Sequence, residues 1–146
     1  MGTVTYNSAV AVSHTGNTNE TTLATVTIPA GLLQSNSVIE IYSLFTGTNG
    51  AVSDINPRVY FGGTKYMEDA LNTNASHQSN VTICCNNSIT SQKGFPSPGS
   101  AVTYGGALIT SAVNTAQPVD IVFTGQLANA ADTVALQGYR IKLNGV

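Results

Sequence analysis

The residues able to do acid–base, nucleophilic or metal chemistry are few and scattered. The two histidines, His14 and His77, lie in polar stretches far apart in the chain, without the His-x-His or Cys-x-x-Cys spacing that presents ligands to a metal. Glu68 and Asp69 are adjacent carboxylates, but neighbours on a strand point to opposite faces, so they read as a solvated hairpin end. Asp54, Asp120 and Asp132 are isolated and read as turn or strand-edge residues. Glu40 stands inside an apolar stretch, where a charge needs a partner; Arg58 and Arg140 are the candidates for a structural ion pair at a sheet edge or subunit interface. No Gly-x-Ser-x-Gly nucleophile turn occurs, and TGTNG (46–50) and FGGTK (61–65) lack the spacing and following helix of a phosphate loop. The reading therefore assigns no catalytic, metal or cofactor site. A polysaccharide depolymerase is disfavoured, because no carboxylates fall at usable spacing. Cys84 and Cys85 face opposite ways on a strand, and a bridge between neighbours would distort the peptide joining them. Both are expected as free thiols, one in the core, as suits a reducing compartment.

Binding chemistry has more to work with. Sugar sites use exposed aromatics for stacking beside Asp, Asn and Arg for hydroxyls; there is no Trp, but Tyr60, Tyr66, Phe95 and Tyr104 are candidates for exposure. Protein contact is the stronger case. The segment NNSITSQKGFPSPGSAVTYGG (86–106) is rich in Gly and Pro and sets Phe95 between Gly94 and Pro96, with Pro98 and Tyr104 following. An aromatic on a Pro-stiffened loop enters a partner's pocket at little entropic cost. The polar stretch 1–20 is expected as an N-terminal arm able to add a strand to a neighbour's sheet edge. The candidate partner-binding residues are Thr3, Val4, Thr5 and Tyr6 of the arm and Lys93, Phe95 and Tyr104 of the loop.

The elements that must position these residues are all strands. In 20–28, Ala24, Val26 and Ile28 alternate with Thr25 and Thr27; Pro29 then ends the ladder and Gly31 permits a turn. Val38 to Phe45 is apolar on both faces and is expected to be covered on both sides at the centre of the sheet core. Further strands are expected at 9–14, 58–61, 65–69, 79–85, 107–113 and 119–123, with Gly62-Gly63 as a hairpin turn and 47–57, 71–78 and 86–106 as loops. In the last strand Val134 and Leu136 share one parity and Tyr139, Ile141 and Leu143 the other, so one extra residue at Gln137-Gly138 predicts a β-bulge. Nothing keeps helical spacing over ten residues. Short strands with turn signals between them argue an all-β antiparallel sandwich of jelly-roll type, a single domain over 21–146 preceded by the arm. A faint echo between 27–41 and 123–137 suits two Greek keys.

Charged residues make up 8% of the chain where about 25% is usual, with net charge −2, so the surface must be built from Thr, Ser, Asn, Gln and Gly. Such a chain has no basic patch for nucleic acid, yet is too apolar for a solvated disordered coil. No basic, apolar leader opens the sequence and no run approaches a membrane span, so a cytoplasmic site of synthesis is expected and the Asn-x-Ser/Thr sequons at Asn19, Asn74, Asn80 and Asn86 are read as unused.

The run ETTLATVTIPAGLLQSNSVIEIYSLFTGTNG, then RVYFGG, then FTGQLANAADTVALQGYRIKL resembles a group of bacteriophage virion proteins in which such segments recur, over about Glu20 to Leu143. The resemblance implies a jelly-roll module without catalytic residues, often trimeric, used on capsid surfaces or at the tips of tail fibres and tailspikes. It therefore implies a virion protein made in the host cytoplasm. The preferred expectation is a homotrimeric capsid decoration (cement) protein bound to the major capsid protein. The alternative is a receptor-binding tip that recognises host polysaccharide.

Overall fold

Alternation of apolar and polar residues sorts the chain into two antiparallel sheets packed face to face. A computed structural model describes residues 1–50, 53–72, 74–97 and 108–146. The strands are β1 (Thr3–Ser8), β2 (Val12–His14), β3 (Thr21–Ile28), β4 (Val38–Thr48), β5 (Ile55–Phe61), β6 (Thr64–Glu68), β7 (Ala75–Cys85), β8 (Gln92–Ser97), β9 (Ile109–Ser111), β10 (Val119–Leu127) and β11 (Thr133–Asn144). The larger sheet has the order β1-β11-β4-β7-β8-β9, with β2 also on β11; the smaller has the order β3-β10-β5-β6. Taking β1, β3, β4, β5, β6, β7, β10 and β11 as eight successive strands, these two orders are the two four-stranded sheets of a jelly roll, and β8 and β9 widen the larger one.

The inward residues are those the period-2 pattern selects. Ile39, Ile41 and Phe45 of β4, Val81 and Ile83 of β7 and Ile141 and Leu143 of β11 meet Ile55, Val59 and Phe61 of β5 and Ile121 and Phe123 of β10, all essentially inaccessible to solvent. Phe123 stacks on Tyr139 at 4.8 Å between ring centroids, closing the core beneath β1. Three bulges tune the alternation. Gln137 is skipped between Leu136 and Gly138 as expected, Leu23 is skipped where β3 meets β10, and Tyr66 is skipped where β6 meets β5. The last turns both Tyr66 and Met67 inward, so Tyr66, a candidate for exposure, is fully buried, edge-on to Phe61. The Gly62-Gly63 hairpin has positive φ at both positions (54° and 83°), which a two-residue turn between twisted strands requires.

The structure departs from expectation elsewhere too: the 47–57 loop gives up its ends to β4 and β5, and of the strand expected at 107–113 the described residues form only Ile109–Ser111. Residues 3–8 do not form a projecting arm: they are β1, paired along β11 from Thr3↔Asn144 to Ser8↔Tyr139, and the strand expected at 9–14 shrinks to β2. The 86–106 segment is not all loop, because Gln92–Ser97 pairs with β7, and β9 pairs with its first three residues, Gln92 to Gly94; residues 98–107 lie outside the described residues. Strand β7 starts at Ala75, within the expected 71–78 loop, with Ser79 buried through a 2.8 Å hydroxyl contact to Ser43. Finally, β4 is central in its sheet but covered on one face only, leaving Val38, Tyr42 and Leu44 half-exposed. Sequence alternation of two apolar faces overstates cover when one face is aromatic or aliphatic rim around polar side chains.

The termini are joined at the sandwich's edge: the Gly2 N–H donates to the Val146 carbonyl at 2.8 Å and the Gly145 N–H to the Gly2 carbonyl at 3.0 Å. Gly94 marks the tightest backbone approach, since a Cβ there would lie 2.6 Å from the Thr82 carbonyl and 2.8 Å from the Tyr66 ring. Gly94→Ala should therefore lower the unfolding free energy by about 1–3 kcal/mol in urea titration. Gly50→Ala, whose Cβ would meet no atom of the described residues within 4 Å, should change it by less than about 0.5 kcal/mol. Both cysteines are free; Cys84 is exposed, while burial and then the Cys84 neighbour push the Cys85 thiol up to about 11. A disulfide reagent should label one thiol per native chain and the second only on unfolding.

Candidate functional site

Register places the charged and hydroxylic side chains of the larger sheet on one outer face. Residues paired across an antiparallel ladder share a face. One row therefore runs Thr5–Lys142–Glu40–Thr82–Phe95 across β1, β11, β4, β7 and β8. The next runs Asn7–Arg140–Tyr42–Asn80, and on the other side lies Thr3–Asn144–Val38–Cys84–Lys93. Their inward neighbours Ile39, Ile41, Ile141 and Leu143 anchor the sheet, so the outer side chains stand on rigid backbone.

Glu40 is thus outside the core. It lies 3.9 Å from the Lys142 Nζ and accepts a 2.8 Å hydrogen bond from the Asn144 amide, so neither arginine proposed from the sequence is its partner. Arg140 instead lies over the Tyr42 ring, its Cζ 5.8 Å from the centroid. Thr5, Glu40, Tyr42, Asn80, Arg140 and Lys142 line a shallow depression of about 410 Å³. A second, of about 530 Å³ and more apolar, continues past Tyr42 and Arg140 to Ala9, Leu44 and Gly138. Together they form a groove that offers cationic donors, a carboxylate, an amide, a hydroxyl and an aromatic ring.

Arg58 is committed to the smaller sheet's outer face. It pairs with Glu20 at 3.2 Å and with Glu68, and Lys65 reaches Glu68 at 2.9 Å. Burial works against ionisation of Glu20, but hydrogen bonds from Thr124 and Tyr60 and the charge of Arg58 outweigh it and hold its carboxyl below the usual value. Glu68 is held low chiefly by its hydrogen bond from Arg58, against burial and with help from Lys65. Burial, and then its 2.7 Å hydrogen bond to Glu20, push the Tyr60 hydroxyl up to about 12. This network ties β5, β6 and β10 to Glu20, the residue just ahead of β3, and is structural.

Of the residues expected to bind partners, Thr3, Thr5, Lys93 and Phe95 share the larger sheet's outer face. Val4 and Tyr6 turn inward against the core, and Tyr104 lies outside the described residues. Thr5 and Phe95 end the same row, roughly 19 Å apart at about 4.8 Å per strand. Tyr42, Asn80, Arg140 and Lys142 were not singled out as a site. Their signal is the alternation EIY (40–42) and RIK (140–142), polar at every second residue within otherwise apolar strands. The histidines are structural in their contacts: His14 Nε2 meets the Asn17 carbonyl at 3.1 Å, and His77 Nδ1 meets Asp69 at 2.5 Å while its buried Nε2 has no hydrogen-bond partner among the described residues. Among the described residues, no three His, Cys, Asp or Glu side chains gather as metal ligands, and no helix is long and apolar enough to cross a membrane.

No family model and no curated protein sequence matches the chain. Solved structures overlap it at low identity. Lectin I of Ulex europaeus, in complex with the methyl glycoside of α-L-fucose, aligns with TM-score 0.45 and 11% identity over 97% of this chain and 91% of the lectin. The VP2 subviral particle of infectious bursal disease virus aligns with TM-score 0.41 and 14% identity over 97% of this chain but 40% of VP2. The CBM2 module of the evolved Dit of Lactobacillus casei BL23 phage J-1 gives 0.36 and 12%, over 81% and 67%.

The depressed Glu20 and Glu68 values have a measurable sign. Each contributes stability that is present above the unfolded carboxylate value of 4.5 and is lost as pH falls through the lower folded value. Wild-type stability should fall below about pH 4.5 in thermal melts. Arg58→Met, which removes the shared cation, should flatten that fall; an unchanged slope would take Arg58 out of the account.

Proposed function

We propose that this chain is a structural protein of a bacteriophage virion, a homotrimeric decoration (cement) protein on the capsid surface that docks against the major capsid protein. The observation that supports docking is the N-terminal edge. Strand β1 ends the larger sheet, carries no charge along Thr3–Ser8 and leads into Ala9, Val10, Ala11 and Val12, all exposed. Met1, Val10 and Val12 are three of the five exposed large apolar residues among those described. The other edges are guarded: β6 carries Lys65 and Glu68, β3 is broken by its bulge, and β9 has three residues. An open, uncharged edge beside an apolar run suits strand addition and burial by a neighbouring subunit. Binding the assembled shell and not free subunits would stabilise the shell by mass action. Catalysis has no part in this reading.

A second reading, a receptor-binding tip of a tail fibre or tailspike, is favoured by the groove at Tyr42 and Arg140, whose lining suits saccharide hydroxyls. Copy number separates the two. Hundreds of chains per virion support the shell, and a handful in multiples of three support the tail. Deleting residues 1–8 is not a clean test of docking, because it strips β1 from β11 and uncovers the core beside Tyr139. Val10→Asp is cleaner, since Val10 is 74% exposed. It should leave the melting temperature unchanged and weaken binding to shells lacking the protein by at least about tenfold, the equivalent of roughly 1.4 kcal/mol. Full binding by the variant would remove the edge from the account. Light scattering should give a mass near three chains of 15.1 kDa each, and a monomer at all concentrations would remove the trimer.

A further inference from the structure

The charges of this chain are segregated by face. Lys93, Arg140 and Lys142, three of its five cations, stand on the larger sheet's outer face, with Glu40 as the one carboxylate in those cross-strand rows. Arg58 and Lys65 are engaged with Glu20 and Glu68 on the opposite side. A protein of net charge −2 thus carries a locally positive face. Within that face, Lys142 has Glu40, but Arg140 makes no ion pair and no side-chain hydrogen bond among the described residues; its guanidinium is parked on the Tyr42 ring. A planar, permanently charged fork of donors held on an aromatic ring is organised for a carboxylate, which it can bind through two parallel hydrogen bonds.

What surrounds Arg140 narrows the ligand further. Asn80 and Thr5 line the same polar depression, offering an amide and a hydroxyl, and Glu40 accepts hydrogen bonds. The adjoining depression, lined by Ala9, Leu44, Gly138 and Tyr139 together with Ser8 and Gln137, is the more apolar of the two. Each depression falls within the roughly 300–1,000 Å³ typical of small-ligand sites, and they share Tyr42 and Arg140, so the groove is elongated. A chain of sugar rings alternates hydroxylic edges with apolar C–H faces, which matches a groove with one half of each kind.

We propose that this groove binds an acidic oligosaccharide, with a sugar carboxylate on Arg140, hydroxyls on Asn80, Thr5 and Glu40, and a ring face against Tyr42 and Leu44. The site rests on the saccharide-recognition reading of this face; it borders the β1 edge at Thr5 and Ala9 and leaves Val10 and Val12 outside it.

The test is binding of the full chain to oligogalacturonate and hyaluronan hexamers, to neutral maltohexaose and cellohexaose, and to poly-glutamate, at physiological salt. Acidic saccharides should bind; Arg140→Ala and Arg140→Gln should each weaken that binding at least tenfold with unchanged melting temperature. Lys93→Ala removes the same charge from the same face outside the groove and should change it less than twofold. Neutral saccharides bound as well as acidic ones, with no effect of Arg140, would overturn the carboxylate assignment while leaving saccharide recognition standing. No saccharide bound at all would overturn both. Equal binding of poly-glutamate, weakened equally by Lys93→Ala, would reduce the face to unspecific attraction and overturn the site.

Discussion

Everything on both sides of the larger sheet depends on a single skipped residue. Strand β11 pairs with β4 from Thr133↔Thr48 to Asn144↔Val38, but the count slips at Gln137. Side chains alternate with period two, so one residue more or less sends every later side chain to the other face. Without the slip, either Val134 and Leu136 or Tyr139, Ile141 and Leu143 would face water. The same slip sets Arg140 and Lys142 outward beside Tyr42 and Glu40. Core and groove are two outcomes of one register. Gly138 makes the slip possible, because a Cβ there would lie 2.9 Å from the Ser8 carbonyl where β1 comes alongside.

The scarcity of charge gives its placement weight. Exposed ion pairs contribute little individually, about 0–1 kcal/mol, and the Arg58 cluster is distinguished by being a network that joins strands of different sequence origin. Thr124, Tyr60 and Gln126 all take part, so hydroxyl and amide groups serve as intermediaries between few ions. On the larger sheet's outer face the ions among the described residues make only the looser Glu40 contacts with Asn144 and Lys142, and Arg140 stays outside them. The outer ions there are spaced along rows, and the contrast between a closed network on one face and open groups on the other separates scaffold from binding surface.

The parts of the fold legible in the sequence were those with strong apolar alternation: β3, the core of β4, β5, β10 and β11, and the Gly62-Gly63 turn. What escaped was hidden by polarity. The first half of β7, ASHQS, buries His77 and Ser79, whose Nδ1 and hydroxyl meet Asp69 and Ser43, and a hydropathy pattern cannot register a buried residue whose partner is remote in sequence. Strand β8 contains Gly94 and Pro96, both breakers by local propensity, and is rescued because the Tyr66 ring needs the space at Gly94. Strand β1 lacks inward bulk except Val4 and Tyr6. The groove is hidden for a related reason: Glu40 stands in an apolar run, although alternation alone places it with Tyr42 on the side away from Ile39 and Ile41.

The hydrogen bonds between Gly2 and the last two residues make the chain nearly a closed loop in space. Its beginning and end leave the sandwich at one point, at the end of the β1–β11 ladder. Topologically, the fold is indifferent to where the covalent chain is cut, so a short peptide across 146 and 1 with a new opening in the exposed turn at 15–19 would preserve every strand pairing. Any cargo fused to either end would likewise emerge from the same corner, next to the open edge and to one side of the groove.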